Sequence, residues 1–409
     1  MSQQPLSRSE VAEVELINSQ AHTTVPFYRD VKKLAVIAQI VFLLIVVLLI
    51  ALVINNINLG LKKQNLNFSF DFLNQTAGFQ VAEGTAFGVP YDSSSDDYFK
   101  VIFVGLYNTL RVAVTGMVLA TVLGVLVGIG RLSSNWLVNR LALVYVEILR
   151  NTPVLVQLFV WYFVVILGLP AISNAKPFLG VYLSNSGMAT PWLVQKPDAP
   201  NFFPVTIIAV LIGLAVFTFF SRQRARTGKP TPAGPYGLAT WLAVQVIGFF
   251  ALGQPLEYGA PMRGTFGVTG GLQVSPEFTA LLIGLVVYTS SFIAEITRAG
   301  IQSVDKGQTE AARALGLGYS ETLQLIILPQ ALRVMIPPLG NQYLNLTKNS
   351  SLAVAIGYSD VLNVLGTVGN QSGQNLQTFF IAGIVYLILS FTIAFLVNLY
   401  NSATRLRTR

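Results

Sequence analysis

Ionisable side chains occur at four places inside apolar stretches of the sequence. Glu147 and Arg150 lie three residues apart, as do Glu295 and Arg298, so each pair shares one face of a helix. Arg333 is a single charge inside another apolar stretch. The fourth place follows a Pro-Pro-Leu-Gly sequence and surrounds one ammonium with amides and hydroxyls: Asn341, Gln342, Asn345, Thr347, Lys348, Asn349, Ser350 and Ser351. Ionisable residues at membrane depth are costly, so they are candidates for function.

Two kinds of role are open for these residues. Lys348 would suit the carboxylate of a polar solute, and the amides and hydroxyls around it would suit the solute's other polar groups. In that case the polar run lines protein or a watery cavity, with a backbone loosened by the preceding prolines. Alternatively, the run is a re-entrant or outer loop in which Lys348 faces water. The two pairs could equally be structural ion pairs, and Arg333 is placed to snorkel to the membrane surface.

Other kinds of chemistry are excluded by composition. The chain has no cysteine, and its one histidine, His22, is in the polar N-terminal tail. Disulfides, thiolate chemistry and a His-based triad are therefore excluded, and no metal site is expected. Gly228-Lys229-Pro230 lacks the spacing and the hydroxyl of a phosphate-binding loop. The net charge of +8 comes from short loops beside apolar runs, which topology and anionic lipid explain better than nucleic acid.

Composition places the chain in a membrane. Of its 409 residues, 53% are hydrophobic and 11% are charged, and its mean hydropathy is +0.60. These values do not describe a soluble globule of this length. About thirty polar residues precede the first apolar run, so that run is expected to remain as a helix and not to be cleaved as a signal peptide. Runs long enough to cross a bilayer predict eight transmembrane helices: 34–54, 104–129, 141–168, 204–221, 237–253, 279–297, 327–346 and 378–399.

Loop charges predict the orientation of these helices. Eight spans place both ends of the chain on one side of the membrane. Sixteen Lys and Arg residues fall in the two tails and in the loops at 130–140, 222–236 and 298–326, against six in the opposite loops. Because positive loops favour the cytoplasmic side, both termini are predicted to be cytoplasmic.

One of the cytoplasmic loops contains a short Ala-rich helix, predicted over 306–315. A helix of about three turns is marginal alone in water, so its order should come from docking. Glu310 offers an acceptor to a basic partner residue, and the alanines keep the surface shallow. An ordinary amphipathic loop helix is the alternative. The ends are predicted from an N-cap, a capping-box glutamine and two glycines for a left-handed stop: Asp305, Gln308, Gly316 and Gly318.

The same loop carries a resemblance to a known family. Glu310-Ala311-Ala312 is followed after three residues by Gly316, and after nine more by Ile326 with Leu328-Pro329. This spacing resembles the EAA loop of ABC importer permeases. The overall size is similar to that of the long permeases of general L-amino acid importers. Further segments resemble the polar amino acid (HisM/HisQ-like) permeases: 107–110, 149–153, 301–304, 329–333 and 336–339.

The resemblance implies an all-α polytopic membrane protein of about eight transmembrane helices. Five of them form a type I ABC importer permease core, and an N-terminal helix and an inserted helical hairpin are additional. The resemblance covers about 100–170 and 275–405. It implies the following division: 1–33, cytoplasmic N-terminal tail; 34–54, additional helix; 55–100, periplasmic loop; 101–170, first part of the core; 171–277, inserted region with the hairpin; 278–402, second part of the core with the EAA loop at 298–329; 403–409, cytoplasmic C-terminal tail.

The resemblance also implies partners and roles. Two permease chains, here expected to be paralogues, would form the pathway in a bacterial inner membrane. Two ATPase subunits would bind ATP-Mg, and a periplasmic binding protein would deliver the amino acid. This chain would be neither an enzyme nor a cofactor-binding protein. Contact with the ATPase is assigned to Glu310, Ala311, Ala312 and Gly316, and the substrate pathway to Lys348, Asn349, Ser350, Asn345, Asn341, Glu295 and Glu147.

One position bears on specificity. Permeases that resemble this one but take cationic amino acids often have an acidic residue directly after the corresponding lysine, whereas this chain has Asn349. Acidic and neutral polar amino acids are therefore expected. An ion-coupled secondary carrier is the alternative function, and the EAA-like loop and the lack of a visible inverted repeat argue against it.

Overall fold

The protein is helical and built to cross a membrane. The structure is a computed structural model that describes residues 31–63, 68–86, 88–227, 231–264 and 267–404. Within those ranges, seven helices are long and apolar enough to span a bilayer, or eight if a bent pair counts as one span. This confirms the predicted helical membrane fold. The predicted tails lie largely outside the described residues, and the proposed division into regions stays a prediction.

The first helix, α1, covers Val31–Lys63 and belongs to a unit separate from the remainder of the chain, which begins at Phe70. Its hydrophobic side chains are exposed along its length. The apolar run predicted a helix over 34–54 only. The observed helix is longer because the Asn-rich segment after Ile54 is also helical. At 1.5 Å per residue it exceeds the thickness of a bilayer core.

The second unit contains the remaining helices. At its centre α2, at Tyr98–Gly130, packs against α7, at Pro276–Gln302. A Cβ added at Gly128 of α2 would lie 2.7 Å from the carbonyl oxygen of Ala294 in α7, so the two backbones touch. The other helices are α3 at Trp136–Asn151, α4 at Val154–Phe159, α5 at Phe203–Thr227, α6 at Ala233–Ala251, α8 at Lys306–Ala314, α9 at Tyr319–Glu321, α10 at Leu328–Asn349, α11 at Val361–Ser372 and α12 at Asn375–Thr404.

The core lies between α2, α7 and α10. Helices α2 and α7 run parallel, since Arg111 in the first half of α2 lies over the ring of Phe278 near the start of α7, and Arg131, directly after α2, contacts Glu295 near the end of α7. Helix α10 runs the opposite way: its Met335 lies beside Gly300 near the end of α7, and its later residue Leu346 lies beside Gly116 near the middle of α2. The largest fully buried side chains of this core include Leu281, Leu285, Ile293, Leu346 and Tyr358.

The third predicted span, 141–168, is wrong as a single helix. Helix α3 ends at Asn151, and α4 with a π-helical continuation at Val160–Ile166 leaves at an angle of 106°. The bend falls at Thr152-Pro153, where Thr152 is extended. Proline disfavours the helical conformation of the residue before it, which explains the position of the bend.

The seventh predicted span, 327–346, is present as a helix, but the loosened backbone predicted after Pro337-Pro338 is wrong. Helix α10 runs through both prolines, so residues 341–349 are helical and not loosened. A proline removes one backbone donor, and neighbouring helices support such sites within a membrane protein. On the N-terminal side, α9 and a π-helical segment at Thr322–Ile327 lead directly into α10. Arg333 is exposed on this helix.

Nine short strands were not predicted from the sequence: within the described residues two precede α2, and the other seven flank the inserted hairpin of α5 and α6. Strand β4 pairs antiparallel with β3 and β9, and β5 pairs with β6. The register places Thr190 of β4 opposite Leu272 of β9. The strands are β1 at Thr85–Ala86, β2 at Val89–Pro90, β3 at Tyr182–Ser184, β4 at Gly187–Thr190, β5 at Trp192–Gln195, β6 at Leu256–Gly259, β7 at Met262–Arg263, β8 at Val268–Thr269 and β9 at Leu272–Val274.

Candidate functional site

The short helix α8 has the predicted ends. The Asp305 carboxylate accepts a hydrogen bond from the Gly307 N–H at 2.7 Å, as an N-cap does. At the other end Gly316 has φ +81°, and the N–H of Leu317 donates to the Ala312 carbonyl at 3.1 Å. This is the left-handed stop that glycine suits. Gly318, which was expected to share that role, has φ −67° and instead precedes α9.

The exposed face of α8 differs from the predicted set in one residue. Ala312 is 2% exposed, so it packs inside the chain, whereas Glu310 and Ala311 are exposed. Beyond the helix end, Leu315 is 82% and Tyr319 is 79% exposed. Sequence reasoning missed these two side chains, although they directly flank the Gly316-Leu317-Gly318 turn. Two large exposed side chains on the same loop as the exposed Glu310 form a surface suited to a protein partner.

The polar run on α10 forms a stripe. Asn341, Asn345 and Lys348 are exposed, and their spacing of four and three residues places them on one helix face. Asn349 is half-buried beside them. Ser350 is fully buried, and its hydroxyl donates to the Thr347 carbonyl at 2.7 Å. Within this polar run Thr347 and Ser350 are therefore the buried residues, and Ser350 is the one of them that was assigned to the substrate pathway.

A cavity of about 400 Å³ brings together predicted residues from separate helices. Glu295 of α7 and Asn341 of α10 both line it, and Arg150 of α3 and Gln342 of α10 complete its polar lining. A carboxylate, a guanidinium and two amides thus face one volume. These groups can bind a solute that carries both charges and hydrogen-bonding groups.

Glu295 is held by two arginines. One carboxylate oxygen accepts from Nε of Arg131 at 3.1 Å, and the other accepts from Nε of Arg298 at 2.9 Å. Arg298 also donates to the Gln302 side chain at 2.6 Å. Pairing with Arg298 was one of the two roles left open by the sequence. The contact with Arg131 was missed because it joins α2 to α7 across 164 residues.

Glu147 and Arg150 engage different partners in the structure. The Glu147 carboxylate accepts from the Asn151 amide at 3.2 Å, and the Arg150 guanidinium lies 5.1 Å from the ring centre of Phe292. The expected ion pair between them is therefore not formed. Arg150 packs against α7 at the 400 Å³ cavity, which leaves Glu147 on the exposed side of α3.

A second cavity, of about 690 Å³, lies beside Lys348 and is mostly apolar, with Ser351, Leu362 and Tyr386 in its lining. Next to it is a carboxylate that sequence reasoning missed. Asp360 is fully buried, N-caps α11 and accepts from the Tyr386 hydroxyl at 3.1 Å. Its position directly before an apolar helical run is an N-cap signal that could have identified it.

Comparison with known proteins shows the family to which this chain belongs. The family described as "Binding-protein-dependent transport system inner membrane component" matches residues 239–406. The chain is 42% identical over 382 residues to the general L-amino acid transport system permease protein AapQ of Rhizobium johnstonii, which covers 93% of this chain and 94% of AapQ. The chain belongs to the amino acid ABC transporter permease family. The permease is also 38% identical to BztB of Rhodobacter capsulatus, named a glutamate/glutamine/aspartate/asparagine transport system permease protein, over 93% of this chain and 96% of BztB.

One solved structure, described as an amino acid ABC transporter with histidines, aligns with 75% of the permease and 94% of its own chain, at 21% identity and a TM-score of 0.45.

The matched family region contains α7, α8, α10, α11 and α12, and therefore both the α8 loop and the polar stripe. The alignment with AapQ covers nearly all of both chains, so it includes the sequence of the α5 and α6 hairpin. The similarity to AapQ and BztB therefore extends over nearly all of the permease and not only over its matched family region.

Proposed function

We propose that this chain is the membrane subunit of an ATP-driven importer that receives acidic and neutral polar amino acids from a periplasmic binding protein. Its partners are two ATPase subunits, which bind ATP-Mg, and a second, paralogous permease. The observation that carries the proposal is the exposed α8 helix, closed by Gly316 at φ +81°. The proposed location is the bacterial inner membrane, with α8 and both termini on the cytoplasmic side, as the loop charges favour.

The α8 loop is the proposed contact with the ATPase. Glu310 supplies a carboxylate, and Leu315 with Tyr319 supplies two apolar anchors at the turn. Such anchors dominate protein interfaces when a pocket of the partner covers them. Only Ser303, Val304 and Asp305 separate α7 from α8, so movement of the ATPase at α8 is delivered to a helix that borders the 400 Å³ cavity.

Removing the two anchors should weaken assembly with the ATPase. We expect Leu315→Ala and Tyr319→Ala each to lower ATPase affinity by about tenfold, since a buried anchor contributes on the order of 1–2 kcal/mol. Binding of purified permease to its ATPase measures this.

The matched controls are Leu193→Ala and Tyr258→Ala, because those side chains are 56% and 70% exposed on β5 and β6. We expect these controls to bind as the unmodified permease does. An equal loss of ATPase affinity in the α8-turn variants and in these controls would contradict a specific role for the α8 turn.

The proposed substrate pathway follows the stripe on α10 and the 400 Å³ cavity. Lys348 is suited to the α-carboxylate of an amino acid, and Asn341 and Asn345 to uncharged polar groups. Glu295 is already engaged by Arg131 and Arg298, so its proposed contribution is to stabilise the cavity wall by joining the end of α2 to α7. The name of BztB, which includes glutamate, glutamine, aspartate and asparagine, supports the same substrate class.

Competition for uptake tests the substrate class. Unlabelled glutamate or glutamine should displace labelled glutamine well, and arginine should displace it poorly, because Asn349 offers no carboxylate to a cationic side chain. Asn349→Asp should improve competition by arginine by about fivefold, which corresponds to a partly solvated charge pair. Asn349→Gln, which adds length without charge, is the control. Efficient competition by arginine against the unmodified permease would overturn the assignment.

Reconstitution tests the energy source. In proteoliposomes, uptake should require the ATPase, the binding protein and ATP, and it should be unaffected when a sodium or proton gradient is imposed or collapsed. Uptake by the permease alone, driven by such a gradient, would establish an ion-coupled carrier instead.

A further inference from the structure

A short segment of the loop before α2 reaches into the helical unit and joins three of its elements. We call residues 79–86 the strap. The N–H of Ala82 donates to the Ser359 hydroxyl at 3.3 Å, and the Ala82 carbonyl accepts from the Asn108 amide at 3.2 Å. Asn108 is fully buried on α2 and also donates to the Ser359 carbonyl at 2.9 Å. The strap therefore links α2 to the turn before α11.

The third element held by the strap is the start of α7, and Glu83 makes the contact. One oxygen of its carboxylate accepts from the backbone N–H of Ser275 at 2.8 Å. Ser275 is the N-cap of α7, so the carboxylate sits at the positive end of the helix dipole. Glu83 has φ +55°. This left-handed conformation is strained for a non-glycine residue, and it persists only when surrounding contacts impose it.

Two charged side chains near the start of α7, Glu83 and Arg111, each have one buried atom without a hydrogen-bond partner within the described residues. These atoms are the second carboxylate oxygen of Glu83 and one terminal nitrogen of Arg111. Arg111 stacks on Phe278 at 4.4 Å, one turn into α7, so both charges lie at the same helix start. Buried charged atoms without partners are costly. Both also lie near enough to Tyr358 to act on it electrostatically, so movement of the strap offers a route to pairing them.

We propose that Glu83 is a latch that positions the first half of α2 and the starts of α7 and α11, exchanging the α7 start for Arg111 when these segments separate to admit an amino acid. In the present state the latch holds the segments together through Ser275. In the open state the same carboxylate pairs with the guanidinium of Arg111, which gives both orphaned atoms a partner in a low-dielectric setting. This inference rests on the proposed function and its orientation.

The latch has a closing half, the bond of Glu83 to Ser275, and an opening half, the pairing of Glu83 with Arg111. Two substitutions of Glu83 distinguish these halves. Glu83→Ala removes the bond to Ser275 and the charge, whereas Glu83→Gln keeps an acceptor for the Ser275 N–H and removes only the charge that Arg111 requires. A purely structural strap predicts that Glu83→Gln transports normally. The latch predicts that Glu83→Gln stays closed and transports several-fold more slowly. Glu257→Gln, on exposed β6, is the matched control and should change nothing.

Closure can be measured directly because the chain has no cysteine. Ala113→Cys places one thiol at a buried position of α2, 2% exposed, and a membrane-impermeant maleimide added outside reports opening. Transport by the Ala113→Cys permease, which serves as the background, is measured first, and Glu83 is then substituted in that permease. Glu83→Ala should raise the labelling rate by at least about fivefold, and Glu83→Gln should leave it near that of the background. Unchanged labelling with Glu83→Ala would overturn the closing half of the latch.

A double-substitution cycle tests the opening half. Glu83→Gln and Arg111→Gln should each slow uptake several-fold, and the combined variant should be no slower than either one, since both remove the same pair. Additive losses, or uptake at the unmodified rate with Glu83→Gln, would overturn the exchange with Arg111. If the unmodified permease showed no ATP-driven uptake at all, the proposed function would fail instead, which is a distinct result.

Discussion

A permease carrying Glu310→Lys should insert normally, yet lose at least about tenfold of its ATP-driven uptake, because a like charge at an interface that accepts a carboxylate costs several kcal/mol. Glu310 is exposed on α8, so the substitution disturbs no packing within the chain. The measurement is uptake in proteoliposomes together with copurification of the ATPase. Glu310→Gln keeps the size and should give an intermediate loss.

The control for Glu310→Lys is Glu257→Lys, the same charge reversal on exposed β6, which should retain full uptake. If Glu310→Lys kept both uptake and ATPase binding, the proposed contact would lie elsewhere on the loop. If it lost ATPase binding while the purified permease remained monodisperse and thermally unchanged, the contact would be supported.

Gly128→Leu should prevent stable folding, and Gly128→Ala should already lower the apparent melting temperature in detergent by about 5 °C or more. A Cβ at this position would lie 2.7 Å from both the Ala294 carbonyl oxygen and the Thr297 Cβ of α7. A backbone oxygen cannot rotate away, so α2 and α7 would have to separate. The yield of folded permease and its thermal stability measure the effect.

The matched control for Gly128 is Gly60→Ala in α1, where an added Cβ meets nothing within 4 Å. Alanine has the higher helix propensity, so this variant should be as stable as the unmodified permease or slightly more so. A Gly128→Ala permease with unchanged stability would show that α2 and α7 can move apart cheaply.

The existence of most helices could be predicted from the sequence, because apolar runs of sufficient length have few alternatives in a membrane. Their ends and bends could not. The extension of α1 to Lys63 is polar, and a hydropathy pattern does not register it. Pro153 follows the extended Thr152 at a bend, whereas Pro337 and Pro338 lie inside a continuous helix, and the residue type alone does not distinguish the two cases. The short strands lack a periodic signal of useful length.

For the candidate site, local features were predictable and long-range ones were not. The N-cap Asp305 and the stop at Gly316 follow from residue chemistry within one turn. The inward direction of Ala312 and the exposure of Leu315 depend on how α8 packs on the following segment. The contact of Arg131 with Glu295 depends on the packing of α2 against α7. It joins residues 164 apart in the sequence, so no local pattern of residues predicts it.

The pairing of β4 with β9 also makes the inserted region separable. Thr190 and Leu272 lie opposite each other in an antiparallel ladder, where facing Cα atoms are about 5 Å apart. The chain thus returns, after its excursion through α5 and α6, almost to the point from which it left. A tight two-residue turn between Thr190 and Leu272 could bridge that gap, so a shortened permease without the hairpin can be made with the remaining chain still in register.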